Sequence, residues 1–262
     1  MLIKYAVLLR RSFSAMLEYR AMIFIWMLTN VMPLVMLAVW FSLSEGGPIA
    51  GYSQNDFVAY YLLITFVRQM TNVWVIWEID YEIRHGDFSI KLLHPLNPIH
   101  EYIASHITDK FLRLAVMIPL GIFAWIIFPT IHYDLTFTTV TLFLIALVAS
   151  WLIRFLSQYC FGLLAFWISA STTLNEIWFA TSLMLGGIVA PLDLFPANIQ
   201  LIAKYLPFRY MFAFPVEIVS GRLAQTELIN GLAAMLGWLI VSVVVYRWLW
   251  RRGLKHFSAF GA

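Results

Sequence analysis

Residues 140–168 read VTLFLIALVASWLIRFLSQYCFGLLAFWI. A helix needs about 20 mostly apolar residues to cross a bilayer core about 30 Å thick, and this run exceeds that with Arg154 as its one charge. Five further stretches qualify outward from it: residues 21–41, 57–77, 103–128, 172–190 and 228–248. The fifth in chain order, 172–190, is the weakest, because Gly186 and Gly187 interrupt its end before Pro191. The first is too long for a cleaved leader and reads as an uncleaved anchor. The pattern predicts an all-α, polytopic membrane protein with six transmembrane helices, organised over residues 1–262 as a single transmembrane domain.

Composition agrees. Of 262 residues, 62% are hydrophobic, 17% aromatic and 12% charged, with a mean hydropathy of +0.82. Globular domains carry about 25% charged residues, so a soluble enzyme and a disordered chain are both excluded. A net charge of +3 is too slight to argue for nucleic acid, and no nucleic-acid partner is expected. The lone Cys160 sits in an apolar run and reads as a small buried residue.

Basic residues orient the spans, since short cytoplasmic loops retain them. Lys4, Arg10, Arg11 and Arg20 precede the first span; Arg84, Lys91, Lys110 and Arg113 lie around the loop between the second and third; Arg247, Arg251, Arg252 and Lys255 follow the sixth. Only Lys204, Arg209 and Arg222 fall on the opposite side, so both termini are expected to be cytoplasmic. Arg68 and Arg154 are the charges expected inside spans, and every Asp and Glu is expected at a span end or in a loop.

Two further segments carry structure. Residues 1–20 place Leu2, Tyr5, Leu9, Phe13 and Met16 on one helical face, with Lys4, Arg11 and Glu18 on another, as in an interfacial amphipathic helix. Residues 191–227 are too apolar for a loop in water and predict one or two short outer re-entrant helices. Chemistry is sparse. No phosphate loop of the form G-x-x-x-x-G-K-[ST] occurs, so the chain is not expected to be an enzyme or to hydrolyse ATP itself. His100 and Glu101 begin an H-E-x-x-H pattern that Ala104 breaks. His85, His94, His100 and His106 read as solvated interface histidines, with no metal site expected.

The loop after the second span, residues 78–98, reads EIDYEIRHGDFSIKLLHPLNP. Gly86 closes one helix, Asp87 is placed to cap another, residues 88–94 give about two turns, and Pro95 and Pro98 end it. Its mixed face, with Arg84, Phe88, Lys91 and Leu92, suits docking in another protein's groove. Three motifs together, E-I-R-x-G-x-x-x-x-x-L-L-x-P-x-x-P from Glu82, G-G-I-V-A-P-L-D-L-F-P from Gly186 with L-P-F at Leu206, and the tail K-H-F-S-A-F-G-A from Lys255, resemble a bacterial ABC-2-class exporter permease along the whole chain.

That resemblance implies a subunit of the bacterial plasma (inner) membrane that forms half of an ATP-driven export path for an amphipathic or hydrophobic cargo. It implies a second permease, identical or different, and two separate ABC ATPase subunits that hold ATP and Mg, with no cofactor in this chain. Residues 84–98 would be the cytoplasmic coupling helix, through Arg84, Gly86, Asp87, Phe88, Leu92, Leu93 and Pro95. Lys4, Arg10 and Arg11 would lie on the connecting helix against the ATPase. Arg68, Asn72, Thr172, Thr173 and Asn175 would approach the path, and Pro191, Asp193, Pro196, Pro207 and Phe208 would form the outer gate. An ATP-independent channel or ion-coupled carrier, and a membrane scaffold or enzyme, are the competing readings.

Overall fold

The computed structural model describes residues 2–18, 20–29, 31–131 and 133–257; the end of the tail motif, residues 258–262, lies outside them. Among the described residues every long element is a helix: α1 (Leu2–Glu18), α2 (Arg20–Thr29), α3 (Met32–Leu43), α4 (Gln54–Met70), α5 (Val75–His85), α6 (Phe88–Leu92), α7 (Ile99–Ile127), α8 (Phe137–Leu163), α9 (Ser171–Leu185), α10 (Ala197–Tyr205), α11 (Pro207–Met211), α12 (Ala213–Val219) and α13 (Gln225–His256).

Four segments are long and apolar enough to cross a membrane: Arg20–Gly46, Ile99–Ile127, Phe137–Phe166 and Gln225–His256. Their outer surfaces are apolar. Ile118, Leu120, Ile122, Phe123, Trp125 and Ile126 of α7 all stand exposed, as lipid-facing side chains do. The chain is a multi-pass membrane protein. The expected count of six is not reached by these measures, because the stretches expected as the second and fifth spans are shorter as helices. α4 has 17 residues and α9 has 15, about 25 and 22 Å at 1.5 Å per residue.

The stretch expected as one span over 57–77 is broken. α4 stops at Met70 and α5 starts at Val75, although neither proline nor glycine lies between. α4 starts cleanly: Ser53 and Asp56 form a reciprocal capping box, Ser53 N–H donating to Asp56 Oδ2 at 2.8 Å.

α8 is the hub, packed against α5, α9, α11, α12 and α13. Its inner half is buried around most of its circumference, through Ile153, Arg154, Phe155, Leu156, Gln158, Tyr159 and Leu163, as a helix enclosed by others requires. The amphipathic α1 lies along α7 with Met16 buried. Residues 191–227, expected to give one or two short outer helices, form three short helices before α13, and α11 and α12 are buried against α8. Ser150 on α8 donates to the Tyr210 carbonyl at 2.7 Å, satisfying backbone that α11 carries into the interior.

Candidate functional site

Three neighbourhoods collect the residues singled out by the sequence. The first is the turn between α5 and α6. Gly86 takes φ 82°, a left-handed conformation that ends α5 without a Cβ clash. Asp87 does not cap α6 as expected: it is helical (φ −61°, ψ −23°), and its side chain makes no capping bond. No side chain caps α6; Ser89 Oγ instead donates to the Gly86 carbonyl at 2.6 Å and ties the helix to the turn.

Behind the turn, Arg84 forks onto Asp80 with two 2.8 Å bonds and reaches the Ser169 carbonyl at 2.7 Å. Ser171 Oγ also donates to Asp80. Arg84 thus ties α5 to the start of α9. Burial raises the Asp80 carboxyl, but the bonds from Arg84 and Ser171 outweigh it and leave the group below its ordinary range. The hydrogen bond to Asp80 raises Arg84 in turn.

Phe88 does not face outward as expected. It is fully buried, with Phe166, Phe257 and Trp250 edge-on at 5.8, 5.9 and 6.0 Å. Leu92 is half-buried; Asp87, Ile90, Leu93, His94 and Pro95 are exposed, Leu93 at 85%. Lys91 pairs with Glu82 at 2.6 Å, which holds the loop down. On α1, Lys4, Arg10 and Arg11 are exposed, and Arg11 approaches Glu101 at 3.3 Å.

The second neighbourhood surrounds the break between α4 and α5. Its open backbone groups are met from other helices: Arg154 donates to the Thr71 carbonyl at 3.1 Å, Lys110 to the Asn72 carbonyl at 2.6 Å, and Trp74 N–H to His106 Nε2 at 3.2 Å. His106 Nδ1 lies 2.9 Å from the Tyr102 carbonyl, so its bonds fit a neutral ring with the proton on Nδ1. The expectation of a solvated His106 is therefore corrected: it is fully buried.

Asp109, expected at a span end or in a loop, lies within the first half of α7 and is enclosed by protein. Asp109 of α7 is fully buried, with Arg113 at 2.6 Å and Lys110 at 3.2 Å, and Arg113 reaches Gln69 on α4 at 2.5 Å. Lys110 and Arg113, read from sequence as loop cations, belong to this buried network.

Of the residues expected near a path, Arg68 is buried, its Nε and Nη1 unpartnered among the described residues and its guanidinium 6.0 Å from the Phe179 ring of α9. Asn175, one turn from Phe179, is buried with Oδ1 unpartnered. Thr172 is half-buried and Thr173 exposed. Asn72 belongs to the break, through its carbonyl.

The third neighbourhood is the segment expected at the outer face. Tyr52 donates to Asp193 at 3.0 Å, Tyr60 to the Gly187 carbonyl at 2.7 Å, and Tyr61 and Trp40 to the Val189 carbonyl at 2.8 and 2.9 Å. Pro191 is buried ahead of a 3-10 turn, the exposed Pro196 precedes α10, and Pro207 opens α11. Phe208 packs on Trp178 at 4.5 Å. Arg209 and Glu217 pair at 2.6 Å inside this segment. The sequence reading missed that pair, although opposite charges eight residues apart in an apolar stretch were a usable signal.

Residues 24–261 match the family described as ABC-2 family transporter protein. No curated protein matches the chain.

Proposed function

Because the chain belongs to the ABC-2 transporter family, we propose that it is the membrane half of an ATP-driven exporter and that the α5–α6 turn is where an ATPase pushes on it. Permeases of this family are normally non-enzymatic transmembrane subunits that work with ABC ATPase partners. On this reading the ATP and Mg sit in two such partners, a second permease completes the path, and the cargo is amphipathic or hydrophobic. α4 and α9 add two spans to the four long helices, the chain sits in a bacterial inner membrane, and both termini face the cytoplasm. Residues 191–208 guard the exit. Arg68 and Asn175, buried with unpartnered polar atoms, line the seam between permeases.

The observation that carries this reading is the contrast within α6. Arg84 and Phe88 fix its base to the rest of the molecule, while Ile90 and Leu93 project 60% and 85% exposed at its tip. A rigid base with an apolar tip transmits a push, because packed elements move as units between discrete arrangements. ATP favours one arrangement to the extent that the ATPases bind it more tightly.

The test follows from the burial. Arg84→Glu and Phe88→Asp would disturb the base itself, so Leu93→Asp is the cleaner variant. In the complex purified with its natural ATPases, Leu93→Asp is expected to lower ATP hydrolysis linked to export at least tenfold with unchanged membrane insertion. Normal export by that variant overturns the assignment. The buried Asp109 is what an ion-coupled carrier would need. Its Oδ2, however, already accepts from both Arg113 and Lys110, which suits a counter-ion better than a proton relay.

A further inference from the structure

Between α1, α5 and α7 lies an open cavity of about 780 Å³, unrelated to the tip of α6. Small-molecule sites span about 300–1,000 Å³. Leu8, Ala15 and Met16 from α1 and Ile23 from α2 form an apolar wall. The facing wall belongs to α5 and the residue that precedes it. Trp74, Trp77, Glu78 and Tyr81 follow the i, i+3, i+4, i+7 spacing of one helical face, and all four line the cavity. Trp77 and Tyr81 are 48% and 56% exposed.

Charge in the cavity is not balanced. Three carboxylates line it, Glu78, Glu82 and Glu101, against two cations, Arg11 and Lys91. Lys91 belongs to Glu82 at 2.6 Å and sits 4.0 Å from the Tyr102 ring, while Tyr102 donates to the other Glu82 oxygen. Arg11 lies 3.3 Å from Glu101. Glu78 is left over. It accepts from Trp74 Nε1 at 2.9 Å and forms no ion pair with the described residues.

A carboxylate without a contact cation, flanked by the exposed Trp77 indole and by the Tyr81 phenol, one face of which is stacked on His85 at 3.9 Å, and facing an apolar wall, matches one ligand chemistry. Aromatic faces attract a diffuse organic cation, the more so where water is thinned out. An anion would meet Glu78, and a neutral sugar would leave the apolar wall unfilled. We propose that this cavity binds the cationic head of an amphipathic organic ammonium or phosphonium compound, with Glu78 as counter-charge and Trp77 and Tyr81 as its cage. That the ligand is also the exporter's cargo rests on the permease reading, and binding is tested apart from it.

The full chain in phosphatidylcholine nanodiscs is titrated with tetraphenylphosphonium and with tetraphenylborate, two ions of like shape and opposite charge, following tryptophan fluorescence. Tetraphenylphosphonium is expected to bind saturably and tetraphenylborate not to. Glu78→Gln is expected to raise the tetraphenylphosphonium Kd about tenfold, and Trp77→Ala several-fold, with thermal unfolding unchanged. Trp77 is exposed, so its variant holds the test if Glu78→Gln fails to fold. Equal saturable binding of both ions, or wild-type affinity in both variants, overturns the site. With the ATPases present, tetraphenylphosphonium is expected to stimulate hydrolysis. Saturable binding without stimulation leaves the cavity standing and counts against the exporter reading instead.

Discussion

At the outer end, α11 and α12 lie wholly within protein: Arg209 meets Glu217, Tyr52 meets Asp193, and Ser150 meets the Tyr210 carbonyl. At the inner end, α6 buries Phe88 and then leaves Ile90 and Leu93 in the open. α11 and α12 are enclosed within one chain, so damage there should appear as lost stability. The α6 end is complete only at its base, so on the proposed reading damage at its tip should appear as lost activity in the assembly with ATPases.

The largest expected effect tests the outer end. Arg209→Ala strands the Glu217 carboxylate of α12, and breaking such a pair costs about 3–5 kcal/mol. Thermal unfolding of the purified chain should shift down accordingly. Replacing both partners, as in Arg209→Met with Glu217→Met, should recover most of the loss, because no charge is then left unpaired. If the single variant unfolds at the wild-type temperature, α11 and α12 are not the self-sufficient region described here.

The next effect sharpens the contrast inside α6. Phe88→Ala empties a site ringed by Phe166, Trp250 and Phe257, a truncation that costs about 3 kcal/mol in a packed core. Leu93→Asp, five residues on, should change stability by no more than about 0.5 kcal/mol, as surface substitutions do. Comparable losses in the two variants would mean that base and tip are not distinct.

Sequence reached the lipid-facing surfaces more readily than the interior. The apolar runs of α7, α8 and α13 are legible because partition into a bilayer depends on composition over about 20 residues. Gly86 is legible because a left-handed helix end favours glycine. The break after Met70 is not, since no proline or glycine marks it and the groups that stabilise it, Lys110, His106 and Arg154, come from 32 to 83 residues away. For the same reason Lys110 and Arg113 were misread: counting loop cations treats a basic residue near a span end as water-facing, while these two close on Asp109. The face of a five-residue helix cannot be phased from periodicity, and so Phe88 was assigned to the wrong side. The α5 face of the cavity was legible in principle, through W-x-x-W-E-x-x-Y from Trp74.

The smallest expected effect concerns the base of the inner end and depends on pH. Asp80 lies beyond the expected span; burial raises its carboxyl, but Arg84 and Ser171 outweigh that and hold it below its ordinary value of 3.8. A carboxylate lowered on folding stabilises the native state in full above its unfolded pKa, and loses that contribution as pH falls through the folded one. Arg84 stays charged throughout and adds no slope in this range. The difference in unfolding temperature between the wild-type chain and Asp80→Asn should therefore be constant from neutral pH down to about pH 5 and shrink below it. Other carboxylates titrate in the same range, which is why the difference between the chains is measured and not the wild-type curve alone. A difference as large at pH 3 as at pH 7 would mean that the charge on Asp80 does not hold Arg84 in place. The base of α6 would then rest on Phe88 and on the Lys91–Glu82 pair.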